Sequence, residues 1–163
     1  MTEDITLCHP MSSDSRAMKQ IASDSKILSA NSTYYYALMA RDFKSTCMVA
    51  LNQSRIRGYV TGYSSPAPPN TLVVWQIGVT GEWQKKGIGR KLLIALIDEN
   101  QPDFLEATIS LKNQAAINLF KSVARHFDAN FLFSKIPFFD EDDLGKDDEA
   151  EHLMHIGPIT IKS

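Results

Sequence analysis

The run Val73-Val74-Trp75-Gln76-Ile77-Gly78-Val79, continuing through Gln84-Lys85-Lys86-Gly87-Ile88-Gly89-Arg90 into Lys91-Leu92-Leu93-Ile94-Ala95-Leu96-Ile97, decides the fold. Its first part is near-continuously apolar, the pattern of a strand covered on both faces. Its last part has the pattern of an amphipathic helix, and a basic turn with two glycines lies between them. A helix N-terminus offers unpaired amides and the positive end of a dipole, so strand, glycine turn and helix in this order make a seat for a phosphate. Glycine lets the backbone come close, and Lys85, Lys86, Arg90 and Lys91 surround the turn with cationic side chains. The spacing is neither G-x-G-x-x-G nor a Walker A loop, because Arg90 and Lys91 follow Gly89 where a Lys-Ser/Thr pair would stand.

Working outward, Pro66, Pro68, Pro69 and Asn70 form a stiff loop before the strand Leu72–Val79. Thr46–Leu51 and Ile56–Tyr63 are rich in β-branched and aromatic residues, and Asn52-Gln53-Ser54 between them predicts an antiparallel hairpin. Ile5–Leu7 reads as a short strand and Arg16–Ser23 as a helix. Thr33–Phe43 reads as a second helix capped by Asn31-Ser32, with Tyr34, Leu38 and Arg41 in one row. Beyond the helix that starts near Lys86, the break Asn100–Asp103 leads to a strand Phe104–Ile109, which implies a parallel crossover. A helix Asn113–His126 follows, striped by Ala116, Leu119, Phe120 and Val123. Strands Asn130–Phe133 and His152–Ile159 then flank a loop with the acidic runs Asp140–Asp143 and Asp147–Glu149. The order predicts one domain over residues 1–163, a mixed α/β sheet with one parallel crossover at its middle.

Composition narrows the function classes. At 163 residues, with 44% hydrophobic and 22% charged residues, the chain has ordinary globular usage. No apolar run approaches the ~20 residues of a membrane span, and the start Met1-Thr2-Glu3-Asp4 lacks a secretory pattern, so a cytoplasmic protein is expected. The net charge of -2 conceals no basic tract, which argues against nucleic acid as a partner. Cys8 and Cys47 lack metal-ligand spacing and read as buried small residues, with no metal site. His152 and His155, three apart on a strand, face opposite sides, so at most one of them reaches a pocket.

Gln84-x-x-Gly87-x-Gly89-Arg90 after the strand ending at Val79, with Asn113-x-x-Ala116-x-x-Leu119-Phe120 after the next strand, resembles the two successive motifs of the GNAT N-acetyltransferase superfamily. The resemblance implies a mostly antiparallel sheet of six to seven strands, splayed at the centre, with about four helices. It implies acetyl-CoA as co-substrate, held by Ile77, Val79, Gln84, Lys85, Lys86, Gly87, Ile88, Gly89, Arg90 and Asn113. Further pieces spread over nearly the whole chain resemble the diaminobutyrate acetyltransferase family of ectoine biosynthesis. They are Asn31-Ser32-x-Tyr34-x-Tyr36, Thr46-Cys47-x-Val49-Ala50, Gly58-x-Val60-Thr61-Gly62-Tyr63, Val74-Trp75-Gln76, Glu106-Ala107-Thr108 and Ile156-Gly157-Pro158. This second resemblance implies acetyl transfer to the side-chain amine of L-2,4-diaminobutyrate, and a homodimer.

An aliphatic amine with a pKa of ~10.4 is almost wholly protonated at neutral pH, so the acceptor must lose a proton before it attacks a thioester. By resemblance, the Val79 amide polarises the thioester carbonyl. Many GNAT enzymes place a tyrosine where this chain has Phe120, so thiolate protonation cannot come from that position. The acceptor pocket is expected from Asn31, Tyr34, Trp75, Glu106 and Glu151, with Tyr34 and Glu151 also candidates for the catalytic step. Arg41 reads either as a partner for a substrate carboxylate or as a helix-end surface charge. Two positions depart from the diaminobutyrate pattern: Ser29 stands where Asp is usual, and Asp148 where His is usual. These departures leave open another small diamine or amino-acid-like amine as acceptor, or a non-catalytic CoA-binding domain.

Overall fold

The structure, a computed structural model, describes residues 4–162. The strands are β1 Thr6–Cys8, β2 Met48–Asn52, β3 Arg55–Ser64, β4 Thr71–Val79, β5 Phe104–Ile109, β6 Phe131–Phe133 and β7 His152–Ile156. The helices are α1 Ser15–Asp24, α2 Thr33–Asp42, α3 Ile88–Asn100, α4 Gln114–His126 and the four-residue α5 Glu141–Leu144. One seven-stranded sheet runs in the order β1-β2-β3-β4-β5-β7-β6. Every neighbouring pair is antiparallel except β4 and β5, which are joined by the α3 crossover. The mixed, mostly antiparallel sheet expected from the sequence is the one observed.

The β4–β5 ladder stops after Val73 and Glu106. Beyond it the two parallel strands diverge, so the sheet opens like a V toward their C-terminal ends. One face of the sheet packs on α3 and α4, where Leu92, Leu93, Leu96, Phe120 and Val123 meet Leu72, Val74 and Leu105. The other face packs on α1 and α2, where Met18, Ile21 and Tyr36 meet Val49 and Tyr59. Two apolar layers clamp the closed end of the V and leave its open end to other chemistry.

Several boundaries differ from the sequence reading for local reasons. Helix α3 begins at Ile88 and not near Lys86, because Gly87 adopts a left-handed φ of 80° that cannot sit inside a helix. Residues Lys44–Thr46 form a short 3-10 turn and β2 starts at Met48, with Thr46 Oγ1 bonded to the Phe43 and Gly62 carbonyls. Strand β7 ends at Ile156 and not at Ile159, because Gly157 takes a φ of 151° and Pro158 has no ladder donor. The acidic loop contains α5, whose Asp140 and Asp143 cap each other reciprocally. On α2 the row Tyr34, Leu38 and Arg41 is not the buried one; Tyr36, Met39 and Ala40 face inward and Tyr34 is 75% exposed.

Candidate active site

The donor side is built from backbone. The amides of Ile88, Gly89 and Arg90 open α3 and precede its first internal bond, from Lys91 N–H to the Gly87 carbonyl at 3.0 Å. Lys85 and Gly87 both have positive φ, 62° and 80°, which curls the turn so that successive amides converge. A Cβ on Gly87 would meet nothing within 4 Å, so the space above the turn is open for a ligand. Gly89 serves a different purpose: a Cβ there would lie 3.2 Å from Leu119 Cδ2, so glycine lets α3 close on α4. These features fit a pyrophosphate. Lys86 and Arg57 flank the Trp83 ring at 4.9 Å and 5.3 Å, which keeps positive charge beside the turn.

Strand β4 presents an unpaired edge next to that turn. Thr80 N–H bonds the Arg57 carbonyl at 2.8 Å, so the adjacent pair Gly58–Val79 is the non-hydrogen-bonded kind, whose N–H and C=O groups point away from each other. The same alternation applies to Ile77 opposite Val60. The amides of Ile77 and Val79 therefore face the opening that β5 has left. Gln84 reaches back to donate its side-chain amide to the Val79 carbonyl at 3.1 Å, which braces the turn against the strand. Asn113 caps α4, its Oδ1 accepting from Ala116 N–H at 3.2 Å.

The acceptor side is built from side chains. A cleft of about 500 Å³ lies across the opening, lined by Tyr63, Trp75, Glu106, Thr108, Phe138 and Phe139 among others. Trp75 and Glu106, both expected in the pocket, are brought together here; Asn31, Tyr34 and Glu151 are not in its lining. The Trp75 ring lies 4.6 Å from Tyr35, tilted by 55°, and meets Tyr63 edge-on at 6.4 Å. Glu106 pairs with His155 Nδ1 at 3.0 Å, while His152 points to the other face and bonds the Ser134 carbonyl at 2.9 Å. Of the two histidines, His155 lies on the cleft side of β7, the side that Leu153 also faces, as strand alternation requires.

Glu151 precedes β7 and is bridged to Phe139, beside the C-terminal end of β5. Its Oε2 is buried with no hydrogen-bond partner among the described residues. Burial, then the charge of Glu149, raise its pKa above the ordinary glutamate value, with a smaller opposing effect from His152 and a smaller raising one from Asp148. Arg41 is exposed and pairs with the neighbouring Asp42 at 3.3 Å. Cys47 is fully buried, which pushes its thiol up to about 11 and leaves it inert. Among the described residues no group of three His, Cys, Asp or Glu side chains could hold a metal ion.

A buried polar network that the sequence reading does not single out ties these parts together. Tyr36 and Tyr59 donate their hydroxyls to Gln76 Oε1 at 2.8 Å and 2.6 Å, and Gln76 Nε2 donates to the Ser29 carbonyl at 2.9 Å. A glutamine inside an otherwise apolar strand was the available signal, since such a residue is buried only with partners. Its partners, 17 to 47 positions away in the chain, leave no local pattern.

A splayed β4–β5 pair with a glycine turn opening the next helix defines an acyl-CoA-dependent acyltransferase. The sequence pattern of the acetyltransferase (GNAT) family matches residues 15–124, and the chain belongs to that family. Within it, the chain belongs with the L-2,4-diaminobutyric acid acetyltransferases: it is 38% identical to that of Nocardia farcinica over 92% of this chain and 78% of the relative. It is 36% identical to the one from Halalkalibacterium halodurans, over 95% of this chain and 82% of the relative. Among solved structures, the diaminobutyrate acetyltransferase EctA from Paenibacillus lautus, in complex with L-2,4-diaminobutyric acid and coenzyme A, matches with a TM-score of 0.90. It is 27% identical, over 99% of both chains.

Proposed function

We propose that this acetyl-CoA-dependent N-acetyltransferase acetylates the side-chain amine of L-2,4-diaminobutyrate, the step that supplies the precursor for cyclisation to ectoine. One observation carries the reading: a structure holding both that amine and coenzyme A matches 99% of this chain at a TM-score of 0.90. In this reading the amides of Ile88, Gly89 and Arg90 hold the pyrophosphate, with Lys85 and Lys86 adding charge. The open-edge amides of Ile77 and Val79 meet the pantetheine and the thioester oxygen, Val79 being the proposed donor to that oxygen.

Glu151, whose Oε2 is buried without a hydrogen-bond partner among the described residues and whose pKa burial raises, is the proposed acceptor of a proton from the substrate ammonium. The freed nitrogen attacks the thioester carbon, forming the C–N bond while the C–S bond breaks. Phe120 is buried and has no hydroxyl, so the departing thiolate takes its proton from water or from the nitrogen that has just reacted. Trp75 and Glu106 form the cleft walls, and Asn31 and Tyr34 complete the acceptor site at its α2 side. The sheet and its helices act as a single acetyltransferase domain, in the cytoplasm and as a homodimer. The exposed Leu132 and Ile136 offer apolar surface for that association.

Acetyl-CoA consumption with L-2,4-diaminobutyrate, lysine, ornithine and spermidine tests the proposal. A preference for diaminobutyrate of about tenfold or more in kcat/KM is expected, and equal or absent turnover across the panel overturns it. Ser29 favours a second reading, a related diamine as acceptor, because a neutral side chain replaces the usual acid there. In that case a different amine leads the panel, and Ser29→Asp shifts the preference back toward diaminobutyrate.

A further inference from the structure

We infer that Gln76 is a positioning residue for the acceptor amine: it holds the Ser29–Asn31 loop in register with Trp75, and so sets amine affinity without touching the amine. The inference rests on the acceptor reading above. Its basis is the bulge in β4. Gly62 pairs with Val74 and Thr61 with Gln76, so Trp75 is the extra residue between them. The bulge reverses the side-chain alternation: Val74 enters the α3–α4 core, whereas Gln76 is turned into the α1–α2 face and left 8% exposed. Without the bulge, residues two apart would share a face.

The Gln76 side chain joins three elements. Its Oε1 accepts from Tyr36 on α2 and Tyr59 on β3, and its Nε2 donates to the Ser29 carbonyl. The Tyr36 hydroxyl in turn accepts the Asn31 N–H at 3.3 Å. The loop between α1 and α2 is thus tied by two backbone groups, Ser29 C=O and Asn31 N–H, to one glutamine–tyrosine pair. The amide has one orientation that satisfies this arrangement, since the reverse would set its oxygen against the Ser29 carbonyl. Burial raises the Tyr59 pKa, with further contributions from the Tyr36 and Tyr35 phenols, which keeps that donor protonated. On its other side Gln76 is joined through the backbone to Trp75, whose ring lies tilted against Tyr35, while the Tyr35 hydroxyl meets Thr61 Oγ1 at 2.9 Å. Both walls, the Asn31 loop and the Trp75 ring, are therefore referred to the same residue.

Steady-state kinetics of Gln76→Met and Tyr36→Phe, against both substrates, test the inference. Both variants keep side-chain length and remove hydrogen bonds. Gln76→Met removes three hydrogen bonds and Tyr36→Phe two, so the amine KM is expected to rise at least about tenfold in each, the loss that a single uncompensated buried hydrogen bond produces, while kcat and the acetyl-CoA KM change less than about twofold. Ile21→Val, in the same α1–α2 cluster but outside the network, serves as the stability control: it lowers Tm and leaves the amine KM unchanged. Amide exchange at Asn31 gives a second readout, slow in the wild type and fast in Tyr36→Phe. Lowered Tm with unchanged amine KM in both network variants overturns the inference, because the network would then serve the core alone. If the wild type acetylates none of the panel amines, the functional reading fails, and Asn31 exchange decides: equal rates in wild type and Tyr36→Phe overturn the anchoring as well.

Discussion

The proposed donor side, from Val79 through the glycine turn into α3, and the proposed acceptor side, from the Ser29–Asn31 loop to Trp75 and Glu151, are made of different material. The donor side presents backbone amides held by a turn and a helix start, all within about a dozen consecutive residues of β4 and α3. The residues proposed for the acceptor side come from separate places, Trp75 from a bulge, Glu106 from β5 and Glu151 from the segment before β7, and Gln76 ties the elements around them together. A site made of backbone depends on φ and ψ, so glycine placement is enough to specify it. A site made of side chains depends on where distant elements meet, so a change at one of those elements can retune it without disturbing the cofactor seat.

The largest effect that would break this contrast is expected at the bulge. A Cβ on Gly62 would lie 2.6 Å from the Val73 carbonyl oxygen and 3.2 Å from that of Thr46, both backbone atoms that cannot yield cheaply. Gly62→Ala should cost about 3 kcal/mol of stability, seen as a lowered denaturant midpoint. It should also raise the amine KM more than the acetyl-CoA KM; an equal rise in both would show that the two sides are not independently built.

Glu151→Gln sharpens the acceptor side next. Loss of the proposed proton acceptor should lower kcat about 100-fold with the acetyl-CoA KM unchanged. Because burial and then Glu149 raise its pKa, the folded protein favours the protonated carboxyl. The associated stability is complete below the ordinary glutamate pKa of about 4.3 and is lost as pH rises through the raised value. Glu151→Gln should therefore have a higher Tm than the wild type at pH 7 and little advantage at pH 3.5, while the acidic limb of the wild-type rate profile disappears. A Tm that falls at pH 7 would show that the ionised carboxylate is a stabilising group and not a strained one.

The smallest effect isolates the donor side. Gly87→Ala forces an L-residue into a φ of 80°, at about 1 kcal/mol, and the turn relaxes at the expense of its amides. The acetyl-CoA KM should rise about fivefold, with the amine KM unchanged in a two-substrate titration. A change confined to the amine KM would contradict the assignment of this turn to the cofactor.

Much of the donor side was legible in the sequence because its signals are short-range. The run Val73–Val79, the pair Gly87 and Gly89, and the helix to Ile97 each follow from local periodicity or backbone freedom, and the family resemblance extends them to coenzyme A. The start of α3 lies two residues beyond the Lys86 that the sequence suggests, because basic residues at 85 and 86 resemble a helix start and the left-handed Gly87 overrides them. On the acceptor side the residue types were legible but their arrangement was not. Tyr34 fell on the right helix and on its exposed face, since helical periodicity locates a row without saying which row is buried. The partners of Gln76 lie too far along the chain for any window to join them.

By itself, the amino-acid sequence determined the order of elements, the parallel crossover at the centre and the family, because periodicity, glycine placement and motif spacing are properties of neighbouring residues. Tertiary structure alone decided how β4 parts from β5, how a one-residue bulge turns Gln76 to one face and Val74 to the other, and how Glu151 keeps a carboxylate oxygen buried and, among the described residues, unpaired. These depend on register and desolvation, which arise only when segments distant in the chain are packed against one another.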